Sequence, residues 1–419
     1  MSDVFRTLCD VEVYLEKRGL FHIDLGLDRV LCALKALDLN HPRVPVVQVL
    51  GTNGKGSTVT FLAALCEAHG LTTGVYTSPH FLSFRERIRL RGASDADWLR
   101  AANAVAEVAD DLTYFEFLTV LALFLFTHAR VDVILLEAGL GGAHDATTAV
   151  TRTHQIFTPI ALDHRDILGE DVQAIAGDKA GAIFCGARLV SAAQFPLVRE
   201  VLERQASLCG VRLEYAEPLP QAFRAHLGMA GDHQIDNAGL ALGMWRHLAR
   251  ACSVTSSDRC IETALASARI PGRLQRVPKG PDNPPLLLDG AHNPHGMQTM
   301  LRSLPEEPSV LVFACLADKD WRTLIRLLRQ RLHDIPVCFP QIANPRALPP
   351  DVAARAWFHE KKVAPYLSLG LTVPETIHGL TKNGGTKDGL VLVTGSLYLL
   401  AEVFALFPSQ LTEKGCPSV

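Results

Sequence analysis

The chain has 419 residues, 48 % of them hydrophobic, with a formal net charge of −3. That length supports two or three cored domains, and the balanced charge excludes a global basic field for nucleic acid. No apolar run reaches bilayer length, Met1-Ser2-Asp3-Val4 lacks the parts of a signal peptide, and ten cysteines without a C-x-x-C pair exclude zinc spacing, so a cytoplasmic protein with reduced thiols is expected.

In chain order, helical spacing covers Asp10 to Arg18, and Ile23 to Val30 leads into a second helix ending near Leu37, together a plain helical hairpin. Val46 to Leu50 is an apolar β-type run that enters Gly51-Thr52-Asn53-Gly54-Lys55-Gly56-Ser57-Thr58 and then a helix ending near His69-Gly70. Strand, glycine loop and helix form the context of a phosphate-binding loop. The glycines let successive N–H groups face one anion, and the helix N-terminus adds partial positive charge. Lys55 supplies a point charge, and Ser57 or Thr58 a hydroxyl for a phosphate-bound Mg²⁺. The first glycine comes late for G-x-x-x-x-G-K-[ST], and Gly56 separates the lysine from the hydroxyls. The loop predicts a nucleotide phosphate, ATP foremost, and names no reaction.

Thr72 to Thr77 reads as a strand delivering Ser78-Pro79-His80 at its C-terminal tip, where open α/β sheets place ligands. Glu86 to Arg91 alternates like a half-buried strand, with a solvated face for most of Arg85, Arg87, Arg89 and Arg91. A helix covers Ala101 to Ala109, and Leu112 to Phe117 opens a longer apolar one reaching about His128. Glu116 near its start either complements the helix dipole or lines a ligand pocket. Val131 to Glu137 is a buried parallel strand by pattern, ending in a carboxylate before Ala138-Gly139-Leu140-Gly141-Gly142. An acid there, beside a phosphate loop, is the usual Mg²⁺ partner, and the glycines favour that role over a plain turn residue. Gln155 to Ala161 leads to Leu162-Asp163-His164, so His164 becomes a third strand-tip group after Ser78 and Glu137. Lys179, on the following helix, is either an ordinary exposed lysine or, in a desolvated site beside metal, one carbamylated by CO₂. Further on come a strand at Arg188 to Ala192, a helix at Leu197 to Ser207, irregular chain from Val211 to Met229, and a helix from Gly231 to about Leu248 that carries Asn237.

The breakers Pro271, Pro278, Pro281, Pro284 and Pro285 mark residues 271–285 as a linker or hinge between a first domain, 1–270, and a second, 286–419. Strands recur at Leu286 to Leu288, before Asp289-Gly290-Ala291-His292-Asn293-Pro294, at Val310 to Cys315, at Val337 to Pro340 and at Leu390 to Val393, before Thr394-Gly395-Ser396. The predicted fold class is α/β: a mostly parallel, phosphate-loop sheet domain and a smaller Rossmann-like domain, with a cleft between them.

These blocks, with Ser78-Pro79-His80, Glu86-Arg87-Ile88, Leu112 to Glu116, Lys179-Ala180-Gly181 and Gly231 to Gln234, together resemble the folylpolyglutamate synthase/dihydrofolate synthase family of Mur-type amide ligases. The likeness runs in family order from about Ile23 to Val403 and is strongest to the bacterial bifunctional form. It implies ATP-dependent addition of L-glutamate to dihydropteroate or to reduced folates through an acyl phosphate. It also implies site roles. Lys55 and the amides of Gly51 to Thr58 hold the ATP phosphates, and Ser57 and Glu137 serve the nucleotide Mg²⁺. Glu137, His164 and a carbamylated Lys179 hold a second Mg²⁺ with Ser78 close by. Asn237, Arg273 and Asp289 contact ATP, and His292 and Ser396 face the glutamate side. Thr113, Tyr114, Phe115, Glu116 and Asp145 lie near the pterin. The implied partners are these small molecules, with a monomer expected and no nucleic acid or membrane.

The sequence departs from the family pattern at Ala143, where arginine is usual, at His144 for an apolar residue, at Thr148 for asparagine and at Ala138 for a common valine. Those changes leave substrate choice open. Two alternatives stand beside the ligase reading: a Mur-type ligase for another carboxylate and amino acid, against which the short chain before Gly51 argues, and a non-catalytic nucleotide-binding homologue.

Overall fold

Val46–Leu50, buried along its whole length, is β1, the middle strand of a seven-stranded sheet. The computed structural model describes residues 4–19, 24, 26–358, 366–382 and 389–411; Ile23, Leu25 and Cys416 lie outside them. The other strands of this sheet are β2 (Thr73–Tyr76), β3 (Ile88–Leu90), β4 (Val133–Glu137), β5 (His154–Phe157), β6 (Arg188–Ser191) and β7 (Leu213–Tyr215), in the order β3-β2-β4-β1-β5-β6-β7. All neighbours are parallel except β2 and β3. A parallel sheet needs both faces covered, and the near-continuous apolar runs of β1 and β4 fit that demand.

Register sets where function can sit. Val49 pairs with Glu137, Leu50 with Phe157, and Tyr76 with Leu136. The tips of β1, β2, β4 and β5 therefore end nearly level, and the loops leaving them at Gly51, Thr77, Ala138 and Thr158 open on one edge. One apolar cluster joins Tyr76, Ile134 and Leu136 to the helix Tyr114–Ala129 and the N-terminal helices Leu8–Lys17 and Asp28–Ala36. Another joins Phe157 and Leu189 to the helices Val172–Ala180 and Pro196–Leu208. Each fully buried Leu or Phe in these clusters contributes about 1.5–3 kcal/mol.

The second sheet contains β8 (Gln275–Val277), β9 (Leu286–Asp289), β10 (Val310–Phe313), β11 (Val337–Gln341), β12 (Tyr366–Thr372) and β13 (Val391–Thr394), ordered β12-β11-β10-β13-β9-β8. It is parallel except at β8 and β9. Thr394 pairs with both Asp289 and Phe313, so three tips are again level. The two compact units are Met1–Leu227 with Ile235–Ala268, and Gly228–Gln234 with Arg269–Val419. The first thus recovers a late segment. Its helix Asp258–Ser267 packs along the phosphate-loop helix Lys55–Ala68, and Ser257 N donates to His69 Nε2 at 3.1 Å.

Several local expectations change. The Glu86–Arg91 alternation predicts a strand, but residues Phe84–Arg87 form a 3₁₀ turn and only Ile88–Leu90 is strand. Ser83 and Glu86 make a reciprocal capping box, which outweighs the alternation. Ser94 and Asp97 do the same for the helix predicted from Ala101, which starts at Asp95. The irregular region from Val211 includes β7. The breaker-rich stretch 271–285 is not all linker: β8 lies inside it, antiparallel to β9, with the prolines outside the strand residues, as a sheet edge allows. Among the described residues no helix is long and apolar enough to cross a membrane.

Gly74 in β2 leaves no space for a methyl group, since a Cβ there would lie 2.3 Å from Phe126 Cγ. Gly74→Ala is expected to destabilise the protein by about 1–3 kcal/mol in urea unfolding. Adding Phe126→Leu should recover part of that loss; an unchanged urea midpoint in Gly74→Ala would disprove the packing argument.

Candidate active site

The glycine loop is bound to its neighbours at both ends. Thr52 N donates to Pro159 O at 3.0 Å, and its hydroxyl donates to Ala161 O while accepting from Ala161 N, both at 3.0 Å. Gly54 has φ +90° and caps the helix Lys55–Ala68. A Cβ at Gly54 would lie 2.4 Å from Asn237 Oδ1, and one at Gly51 (φ +135°) would lie 2.0 Å from Thr158 Oγ1. Lys55 Nζ donates to Gly51 O and Thr52 O at 3.1 Å each. Ser57 and Thr58 are buried, and Thr58 Oγ1 has no hydrogen-bond partner among the described residues. A helix N-terminus, a side-chain-free cradle and an ammonium held against the loop fit a nucleotide polyphosphate.

Glu137 ends β4 at 5 % exposure, and its Oε2 accepts from Ser78 N at 3.2 Å. The structure therefore brings together two of the predicted strand-tip residues. Beyond Glu137, the carboxylate of Asp145 organises the glycine loop. Its Oδ2 accepts from Gly139 N (2.8 Å) and Leu140 N (2.9 Å), and its Oδ1 from Thr147 N (3.0 Å) and Thr147 Oγ1 (2.5 Å). Burial pushes the Asp145 pKa up against those bonds. Asp145 therefore sets the shape of its own loop through both oxygens.

Lys179 is 4 % exposed on the helix Val172–Ala180, and its Nζ donates to Gly141 O at 3.3 Å. It is not the exposed lysine of the bland alternative. Burial, followed by the charge of Lys55, lowers its pKa to about 7, so a nucleophilic neutral amine is well populated near neutral pH. Gly142 rests directly on this helix: a Cβ there would lie 2.5 Å from Lys179 Cα. His164 has φ +50° and caps the short helix Arg165–Leu168, with its N donating to Asp163 Oδ1 at 2.9 Å. Its side chain is 43 % exposed. Among the described residues, no group of three His, Cys, Asp or Glu side chains is placed to hold a metal. The hard oxygen donors of Ser57 and Glu137 suit Mg²⁺.

Thr113 to Glu116 begins the helix Tyr114–Ala129. Thr113 caps it, and its N donates to Glu116 Oε2 at 2.7 Å. Arg29 NH2 pairs with Glu116 Oε1 at 2.9 Å. Glu116 thus closes a capping box and anchors the helix Asp28–Ala36 through Arg29. The Phe115 ring covers the loop after Glu137, since a Cβ at Gly139 would lie 2.6 Å from it. Tyr114 is buried under Arg87, whose guanidinium lies 5.3 Å from the ring centroid. Arg87 is itself buried, unlike the solvated face expected for this run, and its Nε donates to His80 Nδ1 at 2.8 Å. Burial, then the charge of Arg87, lowers the His80 pKa to about 3. His80 is therefore a neutral acceptor with its proton on Nε2.

In the second unit, buried Asp289 ends β9. Its Oδ2 accepts from Leu274 N (3.0 Å) and its Oδ1 from Ala291 N (2.9 Å), and burial raises its pKa. Arg273 lies over Gly290, with NH1 3.2 Å from a Cβ position there. His292 Nδ1 donates to Gly290 O at 2.8 Å. Buried Ser396 caps the helix Leu397–Leu406 by accepting from Tyr398 N at 3.0 Å. The Thr394–Asp289 pairing sets these residues on one edge of the second sheet.

A phosphate loop level with an acid-tipped strand, ahead of a second parallel-sheet unit, is the arrangement that the resemblance to Mur-type ATP-dependent ligases implies. In agreement, the family model "Mur ligase, glutamate ligase domain" matches residues 272–397. The Escherichia coli dihydrofolate synthase/folylpolyglutamate synthase is 35 % identical, covering 77 % of this chain and 79 % of its own. The structure of E. coli FolC in complex with DHPP and ADP superimposes with a TM-score of 0.83 at 28 % identity, covering 98 % and 100 % of the two chains. The Yersinia pestis bifunctional enzyme complexed with AMPPNP and Mn ion gives a TM-score of 0.82 at 30 % identity, covering 97 % and 100 %. The chain belongs to the folylpolyglutamate synthase/dihydrofolate synthase family.

The buried lysine sets a pH dependence. Between about 7 in the folded state and the ordinary lysine value of 10.5, the unfolded chain binds a proton at Lys179 that the folded chain does not. Stability should therefore rise with pH across that window. In CO₂-free buffer, urea midpoints from pH 7 to 10 should show this slope, and Lys179→Met should flatten it. Equal slopes in both proteins would disprove the assignment.

Proposed function

We propose that this protein joins the amine of L-glutamate to a carboxylate of dihydropteroate, of a reduced folate, or of both, at the cost of ATP. The observation that carries the reading is Glu137, bonded to Ser78 N, on a strand tip level with the lysine-bearing phosphate loop. A carboxylate acylates poorly because oxide is its leaving group. Transfer of the γ-phosphoryl group gives an acyl phosphate, from which phosphate leaves readily. The glutamate amine then attacks the acyl carbon, leaving the amide, ADP and phosphate.

Lys55 and the loop N–H groups would hold the β- and γ-phosphates and stabilise charge on the transferring group. Ser57 and Glu137 would hold Mg²⁺, which supplies charge neutralisation when bound. A carbamate on Lys179 would add an oxygen donor beside Glu137 and His164 for a second ion; the lowered pKa of its amine supports that modification. Phe115 against Gly139 supports a pterin place near Thr113 to Glu116. Asn237 against Gly54 supports a nucleotide contact, to which Arg273 and Asp289 would add. His292 and Ser396 would serve the glutamate side. Water, which hydrolyses acyl phosphates, would have to be kept from the reacting groups.

Phosphate release from Mg·ATP and L-glutamate, measured with dihydropteroate and separately with tetrahydrofolate, tests the reading. Release is expected with at least one acceptor, and its absence with both would remove the proposal. Lys55→Ala should lower kcat at least about a hundredfold with an unchanged circular dichroism spectrum; retained turnover would refute the role of that lysine.

A further inference from the structure

We propose that Gln48 is a positioning residue for the ligase reaction, acting through a one-way chain of hydrogen bonds that sets the glycine loop after Glu137 against the segment following Lys179. The inference rests on the function proposed above.

Gln48 is the one polar residue of β1 and is fully buried at its centre. Its Nε2 donates to Thr147 Oγ1 (2.9 Å) and Thr148 Oγ1 (2.7 Å), which uses both amide hydrogens. Each hydroxyl passes its own hydrogen onward: Thr147 to Asp145 Oδ1 at 2.5 Å, Thr148 to Gly142 O at 2.7 Å. Asp145 in turn gathers Gly139 N and Leu140 N. On the other side Gln48 Oε1 accepts from Gln155 Nε2 at 2.8 Å. The second amide hydrogen of Gln155 goes to Ala182 O, and its Oε1 accepts from Phe184 N, both at 2.8 Å. Arg152 closes the circuit, donating through NH1 to Thr148 O and through NH2 to Ala182 O, each at 2.6 Å.

The direction of this chain is fixed at both ends by backbone. Phe184 N–H can only donate, so the oxygen of Gln155 must face it. The Gln155 amide then faces the oxygen of Gln48, and the Gln48 amide faces the threonines. Gly142 O can only accept, which closes the sequence. Flipping either glutamine would set donor against donor. Burying a carboxamide in a parallel strand adds little where valine or leucine would bury well, and a fully satisfied network earns its place chiefly by specifying geometry. What it specifies is the spacing of two chain segments that flank Glu137 and Lys179. It also accounts for Thr148. A hydroxyl or a carboxamide at that position can accept from Gln48 and donate to Gly142; an aliphatic side chain can do neither.

Gln48→Glu keeps the shape of the side chain and removes both donors. Thr148→Val keeps shape at the half-buried end of the chain and removes the relay, while Thr148→Asn restores it. Steady-state phosphate release and amide hydrogen exchange across Gly139 to Gly142 are measured on all three. Gln48→Glu and Thr148→Val are expected to lose about tenfold to a hundredfold in kcat with the KM for ATP unmoved, and to exchange Gly139 and Leu140 faster; Thr148→Asn should recover both. Should Gln48→Glu fail to fold, Thr148→Val carries the test. Unchanged exchange in Thr148→Val, or faster exchange with unaltered kcat, would overturn the inference. If the wild-type enzyme releases no phosphate, the proposed function fails instead, and the exchange rates alone decide whether the brace exists.

Discussion

The carboxylate of Asp145 is the interaction on which the first unit's site depends. A loop that is to meet phosphate or metal must leave much of its backbone uncommitted, so its position has to be imposed from outside regular structure. Asp145 imposes it by taking two backbone N–H groups from Gly139 and Leu140 on one oxygen and the N–H and hydroxyl of Thr147 on the other. Close packing then dictates the glycines. The ring of Phe115 lies against Gly139, and the Lys179 helix against Gly142. A side chain at either position would push the Phe115 ring or the Lys179 helix away from the loop that follows Glu137.

Reciprocal caps play the same part at helix starts. Thr7 with Asp10, Ser83 with Glu86, Ser94 with Asp97 and Thr113 with Glu116 each close such a box. The last of these carries more, because Glu116 also takes the guanidinium of Arg29. A buried ion pair is weak evidence for stability. Here it ties the helix Asp28–Ala36 to the start of the helix whose Phe115 lies over the glycine loop.

Much of this was legible in the sequence because it rests on local patterns. The phosphate loop, the carboxylate closing an apolar strand and the helix bearing Lys179 all follow from period and spacing. Residues whose roles depend on distant partners were not legible. Gln48 interrupts an apolar run without any periodic signal, since a strand covered on both faces shows no alternation. The four donors that Asp145 gathers have no local signature either. Arg87 belongs to a run of alternating arginines, and only the fold buries it against His80 and Tyr114. The short edge strands β7 and β8 exist through pairing with a neighbour, so three-residue stretches of unremarkable sequence gave no sign of them. The Ser83 box was a readable local signal that the stronger impression of alternation concealed.

The late return of the chain to its first unit bears on how the protein is made. The helix Lys55–Ala68 has Phe61, Leu62, Leu65 and Cys66 buried in the finished molecule. The helix Asp258–Ser267 that packs along it comes ~200 residues later in the chain, which at ribosomal speeds is a delay of about 10–40 s. Throughout that interval the phosphate-loop helix of the nascent chain lacks one of its covers. The first unit therefore cannot be completed until the chain has been made at least as far as Ser267.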